Sequence, residues 1–395
     1  DTRTIFDTGA LTKQFTAAAI MLLVEQGKLS LDEPLTTYFP AAPTAWRAIT
    51  PRHLLTHTSG LPDYTSGTLD YRRAYTEEDL VTFAFGLTLE FPPGSRWNYS
   101  NTGYVMLGAL ARKVSGRFYG DVLREGVFLP LDMRSARVIT ESEIVPHRAA
   151  GYRLENGALK NQEWVSPELN TTADGSLYLS LRDMVAWDAS LRARHVLDPR
   201  TWAQVFAPVR LNSGKTYPYG FGWDLSTFAG RRAQRHSGGW QGFATYIARY
   251  PDADLTIIVL ANLAEGNPGR ITEGVAAILD PSMTDAGPAP IPDADMTTQK
   301  RVEALLASAA SGTLTPSEFA YVRAGFFPGR AAFYKERLGA LGPLASLTLV
   351  GRRELGDDTV HVYEASYASA VMVVRVAVAP DGKLAGFDVS PKPAR

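Results

Sequence analysis

Three clusters, far apart in a chain of 395 residues, carry side chains of the kind that move protons and grip carbonyl groups. The first is Phe6-Asp7-Thr8-Gly9-Ala10-Leu11-Thr12-Lys13, in which Ala10 and Lys13 stand three apart and so share one face of a helix. A serine at position 10 would make Ser-x-x-Lys, with the lysine amine placed to take the hydroxyl proton. Ala10 has no hydroxyl to give. Thr12 is no substitute, because it points away from the Lys13 side. The second cluster, Tyr99-Ser100-Asn101, offers a phenol and an amide. The third, His236-Ser237-Gly238-Gly239, offers an imidazole, a hydroxyl and two glycines.

Taken singly, each has a plain explanation. Lys13 reads as a solvated lysine, Asn101 as a helix cap, His236 as a strand end running into a turn, and His57 as part of a self-bonded Thr-Ser-Gly loop.

The surrounding periodicity says which elements must position these clusters. Apolar residues at Phe15, Ala18, Ala19, Leu22 and Leu23 predict a helix from Ala10 to Gly27, with Ala10 and Lys13 in its first turn. Short helices are expected at Pro51 to Thr56 and Glu77 to Phe85. Pro92-Pro93-Gly94 forces a turn, which sets Tyr99-Ser100-Asn101 at a loop-to-helix junction ahead of a helix over 102–114. Residues 135–172 read as irregular covering, and 181–191 as helix. Strands are expected at 219–223, 232–237, 243–250 and 255–261. That order predicts an α+β domain with a helical cluster on an antiparallel sheet and the opening helix buried between them.

The proline-rich stretch 281–296 reads as a linker between a domain at 1–280 and a small α+β accessory domain at 297–395. The latter holds helices at 298–310 and 330–341, and strands at 346–355, 359–368, 370–379 and 384–389.

Bulk properties narrow the classes. Lys+Arg 40 against Asp+Glu 41 leaves a net charge of -1, so no basic field for nucleic acid is expected. With no cysteine there is no thiolate chemistry. No apolar run approaches the roughly 20 residues that span a bilayer. His53 and His57 stand at metal-ligand spacing but lack the companion Glu of a metalloprotease motif, so neither metal nor cofactor is expected.

Together, in this order, the three clusters resemble the serine β-lactamase and penicillin-binding-protein superfamily. Ala10-x-x-Lys13 stands for Ser-x-x-Lys, Tyr99-Ser100-Asn101 for Tyr-x-Asn, and His236-Ser237-Gly238 for Lys-Thr-Gly. The tyrosine and the His-x-Gly variant are similar to the class C β-lactamases, the D-Ala-D-Ala carboxypeptidases of that type and related esterases and D-amino-acid peptidases. Leu54-Leu55-Thr56-His57-Thr58-Ser59-Gly60-Leu61-Pro62 resembles a connecting segment of the same group, and the likeness runs to about residue 265.

The resemblance implies a β-lactamase-like fold and an acyl-enzyme hydrolase acting on an ester, a D-amino-acid peptide or a β-lactam. Lys13 and Tyr99 would form the base pair, with the lysine charge lowering the phenol pKa. Asn101, His236, Ser237 and Gly238 would bind a small-molecule or peptide substrate, and the backbone N–H groups of Ala10 and Gly239 would form the oxyanion hole. A neutral His236 is a weaker anchor for a carboxylate than lysine, which favours esterase or peptidase over β-lactamase. The resemblance also implies a periplasmic or secreted protein, and one or two sheet strands ahead of the first helix that this chain is expected to lack. With Ala10 at the nucleophile position, the expectation is an inactive hydrolase scaffold, engineered or natural; the alternative is a non-catalytic binding or sensor homologue.

Overall fold

The computed structural model describes residues 1–67, 69–284, 287–292 and 296–392. The described residues fall into two compact units, and the three clusters all lie in the first.

That first unit is built outward from its opening helix. Strand β1 (Ile5–Asp7) runs into a 3₁₀ turn over Gly9–Leu11 and then into α1 (Thr12–Glu25). Ala10 therefore sits in the turn that feeds the helix, not in the helix as expected, while Lys13 does occupy its first turn. The helix is apolar on nearly every side, and Phe15, Ala17, Ala18, Ile20, Met21 and Leu23 are all buried. A helix of that composition has to be enclosed. Phe15 meets Trp187 with ring centroids 4.5 Å apart, and the same core reaches Trp223 and Ile247.

Helices α2 (Pro51–Leu55) and α3 (Asn101–Ser115) start on polar caps: the hydroxyl of Thr50 accepts from His53 N, and that of Ser100 from Gly103 N. Strand β2 (Leu177–Ser180) pairs antiparallel with β1 and with the two-residue strand Arg137–Val138. It leads into α4 (Leu181–Ala193) through a capping box of Ser180 and Asp183. The segment expected to be irregular also contains a hairpin, Tyr152–Glu155 with Ala158–Asn161. Its second strand is exposed throughout, so it has no apolar alternation to read.

The main sheet is antiparallel, formed by β3 (Asp224–Phe228), β4 (Arg231–Trp240), β5 (Phe243–Tyr250) and β6 (Leu255–Ala261) in the order β6-β5-β4-β3. The expected strand at 219–223 is not a strand. Tyr219, Phe221 and Trp223 are buried packing residues, and their aromatic composition marks burial, not a ladder. Helix α5 (Pro268–Leu279), which periodicity did not flag, covers β5 and β6 through Ala276 and Val275.

The second unit has its own core, with α6 (Met296–Ser311) and α7 (Ala331–Gly339) against a four-stranded meander. The meander strands are β7 (Ser346–Leu355), β8 (Asp358–Ser366), β9 (Val371–Val378) and β10 (Leu384–Pro391). Arg210–Tyr217, expected within the first domain, groups with this unit. Positions 285–286 and 293–295 of the expected linker lie outside the described residues.

What registers α1 against the sheet is backbone contact. Gly9 has φ +52°, and a Cβ there would stand 2.5 Å from Gly239 N. A Cβ at Gly238 would stand 2.1 Å from Thr8 O, and the Thr245 hydroxyl donates to that same oxygen at 2.8 Å. Glycine is required at both places by closeness, and at Gly9 also by conformation. Gly9→Ala is expected to destabilise the first unit by roughly 2–4 kcal/mol, combining left-handed strain with displacement of β4. Urea denaturation would measure it; a loss under about 0.5 kcal/mol would show that the seam yields.

Candidate active site

The seam between the 3₁₀ turn and β4 opens on one side into a cleft of about 500 Å³, lined by Ala10, Tyr99, Asn101, His236, Ser237 and Gly239 together with several aromatic residues. The three sequence clusters therefore meet. Ala10 lines the cleft where the clusters converge, and Gly9 beside it is in backbone contact with Gly239.

Lys13 is fully buried, which overturns the reading of a solvated side chain. Its ammonium donates to Asn101 Oδ1 at 2.6 Å and to the Asp174 carbonyl oxygen at 2.7 Å, and lies 4.8 Å from the Tyr99 ring centroid. Burial pulls its pKa down to about 8, against the opposing pull of Asp174 and Asp63. Asn101, the first residue of α3, is held from both ends: its Nδ2 donates to Asp63 Oδ2 at 3.0 Å. The amide expected to meet substrate thus also solvates the lysine.

Tyr99 departs from expectation more sharply. The lysine was expected to lower its pKa, but the phenol is held well above its ordinary value, first by burial and then by the carboxylates of Asp63 and Asp174. Lys13 gives its hydrogen bonds to Asn101 and Asp174, and the Tyr99 ring rests on the His57 imidazole with centroids 4.3 Å apart.

His236 is also corrected. It borders the cleft, but its Nε2 faces Tyr219 Oη at 2.9 Å and its Nδ1 faces Ser237 O at 2.7 Å, so both ring nitrogens are spent on protein partners. Burial and the Lys13 charge push its pKa down to about 4, which leaves it neutral at pH 7. Ser237 is exposed on the cleft wall beside it.

Several lining residues were not singled out from the sequence. Asp174 reaches the cleft from the segment before β2; its Oδ2 accepts from Tyr64 Oη at 2.9 Å, while its buried Oδ1 has no hydrogen-bond partner. Trp240 closes the far side, with Nε1 donating to Asn170 Oδ1 at 2.8 Å. The signal that could have found it is position, since Trp240 directly follows the His-Ser-Gly-Gly run. Among the described residues no cluster suited to hold a metal ion is present, and no helix is long and apolar enough to cross a membrane.

A family model described as Beta-lactamase matches residues 1–279. The chain belongs to the beta-lactamase family. As a beta-lactamase-family protein it is 35% identical over 284 residues to Penicillin-binding protein 4* of Bacillus subtilis (strain 168), covering 67% of this chain and 62% of that protein. It is 25% identical over 269 residues to a D-aminopeptidase of Gluconobacter oxydans (strain 621H), covering 66% of this chain and 49% of the relative. The chain thus spans about half to three-fifths of the length of these two curated relatives. Among solved structures it is similar to the D-amino acid amidase from Ochrobactrum anthropi SV3 complexed with D-phenylalanine, with a TM-score of 0.61 and 26% identity, covering 71% of this chain and 85% of that one. The family is one of serine hydrolases, and its α+β fold is the one described above.

The buried lysine makes a prediction about stability. With a native pKa near 8 and an ordinary value of 10.5, Lys13 is protonated in folded and unfolded chains alike below pH 8. Between about 8 and 10.5 the unfolded chain holds more protons on Lys13, so this residue's contribution to stability should rise with pH there, by about 3 kcal/mol at about 1.4 kcal/mol per pH unit. Chemical denaturation across this range should show a slope against pH more positive by that amount in the protein than in Lys13→Met; equal slopes would place the lysine outside the buried network.

Proposed function

We propose that the cleft receives the acyl part of a D-amino-acid amide or short D-peptide and, with Ala10 at its centre, holds that ligand without cleaving it. The observation that carries this reading is a Lys13–Asn101–Asp174 network arranged around a residue that has no nucleophilic atom. With serine at position 10, the hydroxyl oxygen would bond to the substrate carbonyl carbon and its proton would pass to neutral Lys13. A lysine near 8 is far better matched to that task than one near 10.5. The backbone N–H groups of Ala10 and Gly239 would receive the carbonyl oxygen as it becomes negative. The proton held on Lys13 would then pass to the departing amine nitrogen as the C–N bond breaks, while Tyr99, whose raised pKa keeps the phenol protonated, would remain a neutral hydrogen-bond donor beside it.

The cleft's charge favours amides over β-lactams and D-Ala-D-Ala ends. Among the described lining residues there is no Lys or Arg, His236 is neutral with both nitrogens occupied, and Asp174 contributes a carboxylate. A ligand carboxylate would find no Lys or Arg among the described lining residues to pair with. The aromatic walls, Tyr64, Trp97 and Trp240, suit an apolar side chain. Relatives named D-aminopeptidase and D-amino acid amidase support the same direction.

Titration calorimetry with the chain as it stands should show D-phenylalaninamide binding at least about tenfold more tightly than D-alanyl-D-alanine, a difference of about 1.4 kcal/mol, with the amide recovered intact. Tighter binding of the carboxylate ligand, or release of free amino acid from the amide, would overturn this reading.

A further inference from the structure

Beneath Tyr99 runs a chain of buried hydrogen bonds whose direction is set by its two ends. The backbone N–H of Ser100, which can only donate, lies 3.1 Å from His57 Nδ1. That nitrogen must accept, so the His57 proton is on Nε2, which lies 3.2 Å from Tyr219 Oη. With the hydroxyl accepting there, its own proton goes to His236 Nε2 at 2.9 Å. The His236 proton is then on Nδ1, 2.7 Å from the Ser237 carbonyl oxygen, which can only accept. Working back from Ser237 gives the same assignment. A single arrangement of protons satisfies all four links, and it needs both imidazoles neutral. A second proton on His57 would set N–H against N–H. One on His236 Nε2 would leave the Tyr219 proton without an acceptor in a buried place.

The ends of this chain lie on different walls of the cleft. The His57 ring is the surface on which Tyr99 rests, at 4.3 Å and 35° between planes, and His57 holds its place with φ +58° while its carbonyl accepts from Asn98 N at 2.9 Å. At the other end, Ser237 faces the cleft from β4. The three linking side chains, His57, Tyr219 and His236, are buried, at 1%, 3% and 7% exposure.

We propose that His57, Tyr219 and His236 form a one-way strut that holds the Tyr99 wall of the cleft in register with the Ser237 wall, with Tyr219 as the positioning residue at its centre. Because both termini are backbone groups that cannot exchange roles, the chain cannot be run backwards: it holds the walls and does not relay protons. None of the four links involves position 10, so the strut does not rest on the hydrolytic reading. It also gives the histidine of the His-Ser-Gly cluster a task that needs no contact with ligand.

Nitrogen-15 NMR of the histidine side chains in the full chain at neutral pH should show His57 as the Nε2–H tautomer and His236 as the Nδ1–H tautomer. Tyr219→Phe keeps the ring and removes only the hydroxyl; both histidine patterns should shift together, and the Tyr99 ring signals should move with them. His236→Gln should shift the His57 signal while the hydroxyl is present and leave it in place in the Tyr219→Phe background, a dependence that packing alone does not produce. The opposite tautomer at either ring, a charged ring, or shifts that simply add would overturn the strut. If the variants do not fold, the two tautomers in the unsubstituted chain still decide the matter.

Discussion

An ammonium group enclosed by protein has to be solvated by protein, and much of the cleft is arranged to do that for Lys13. Its position in the first turn of α1 places it in the core, where an unpaired charge would cost several kcal/mol. The chain answers with one side-chain oxygen from the start of α3 and one backbone oxygen from the segment ahead of β2, at 2.6 and 2.7 Å. These two bonds draw three segments far apart in sequence onto one point. Asn101 is in turn steadied by Asp63, and Asp174 by Tyr64, so a second ring of partners follows from the first.

The same constraint explains the histidines. Burial lowers the pKa of His57 and of His236, and the charge of nearby Lys13 acts in the same direction. Two neutral imidazoles can each donate from one nitrogen and accept at the other, which a pair of cations cannot do. The fold uses that capacity to bond α3's entry to β4 through Tyr219, leaving the charge of this site on Lys13.

Much of this was legible in the sequence. The enclosed character of α1 follows from its apolar run Ala17 to Val24, β5 and β6 from their β-branched and aromatic residues between turn signals, and the convergence of Lys13, Tyr99, Asn101 and Ser237 from the ordered clusters. What was not legible depends on tertiary placement. Nothing in Tyr219 to Trp223 distinguishes buried aromatic packing from a strand, and Asp174 lies in a stretch with no periodicity. Spacing puts Lys13 near Tyr99 and so suggests a lowered pKa, whereas the burial of the phenol and the approach of Asp63 and Asp174, which raise it, come only with the fold. His236 was expected to bind substrate because it stands where the resembled family has Lys-Thr-Gly, yet its ring is turned to Tyr219 and Ser237.

Ala10 stands at the meeting point of this network, and we propose that its side chain is where a competent site would carry its nucleophile. The most direct test is Ala10→Ser followed by mass spectrometry of the intact protein after exposure to an activated D-amino-acid ester. The account predicts one acyl group added at position 10, with turnover at least about 10³-fold above the alanine form, since removing such a nucleophile costs as much or more where it has been measured. A folded Ala10→Ser protein that takes up no acyl group and shows no turnover would contradict it, and would make the cleft a binding site alone.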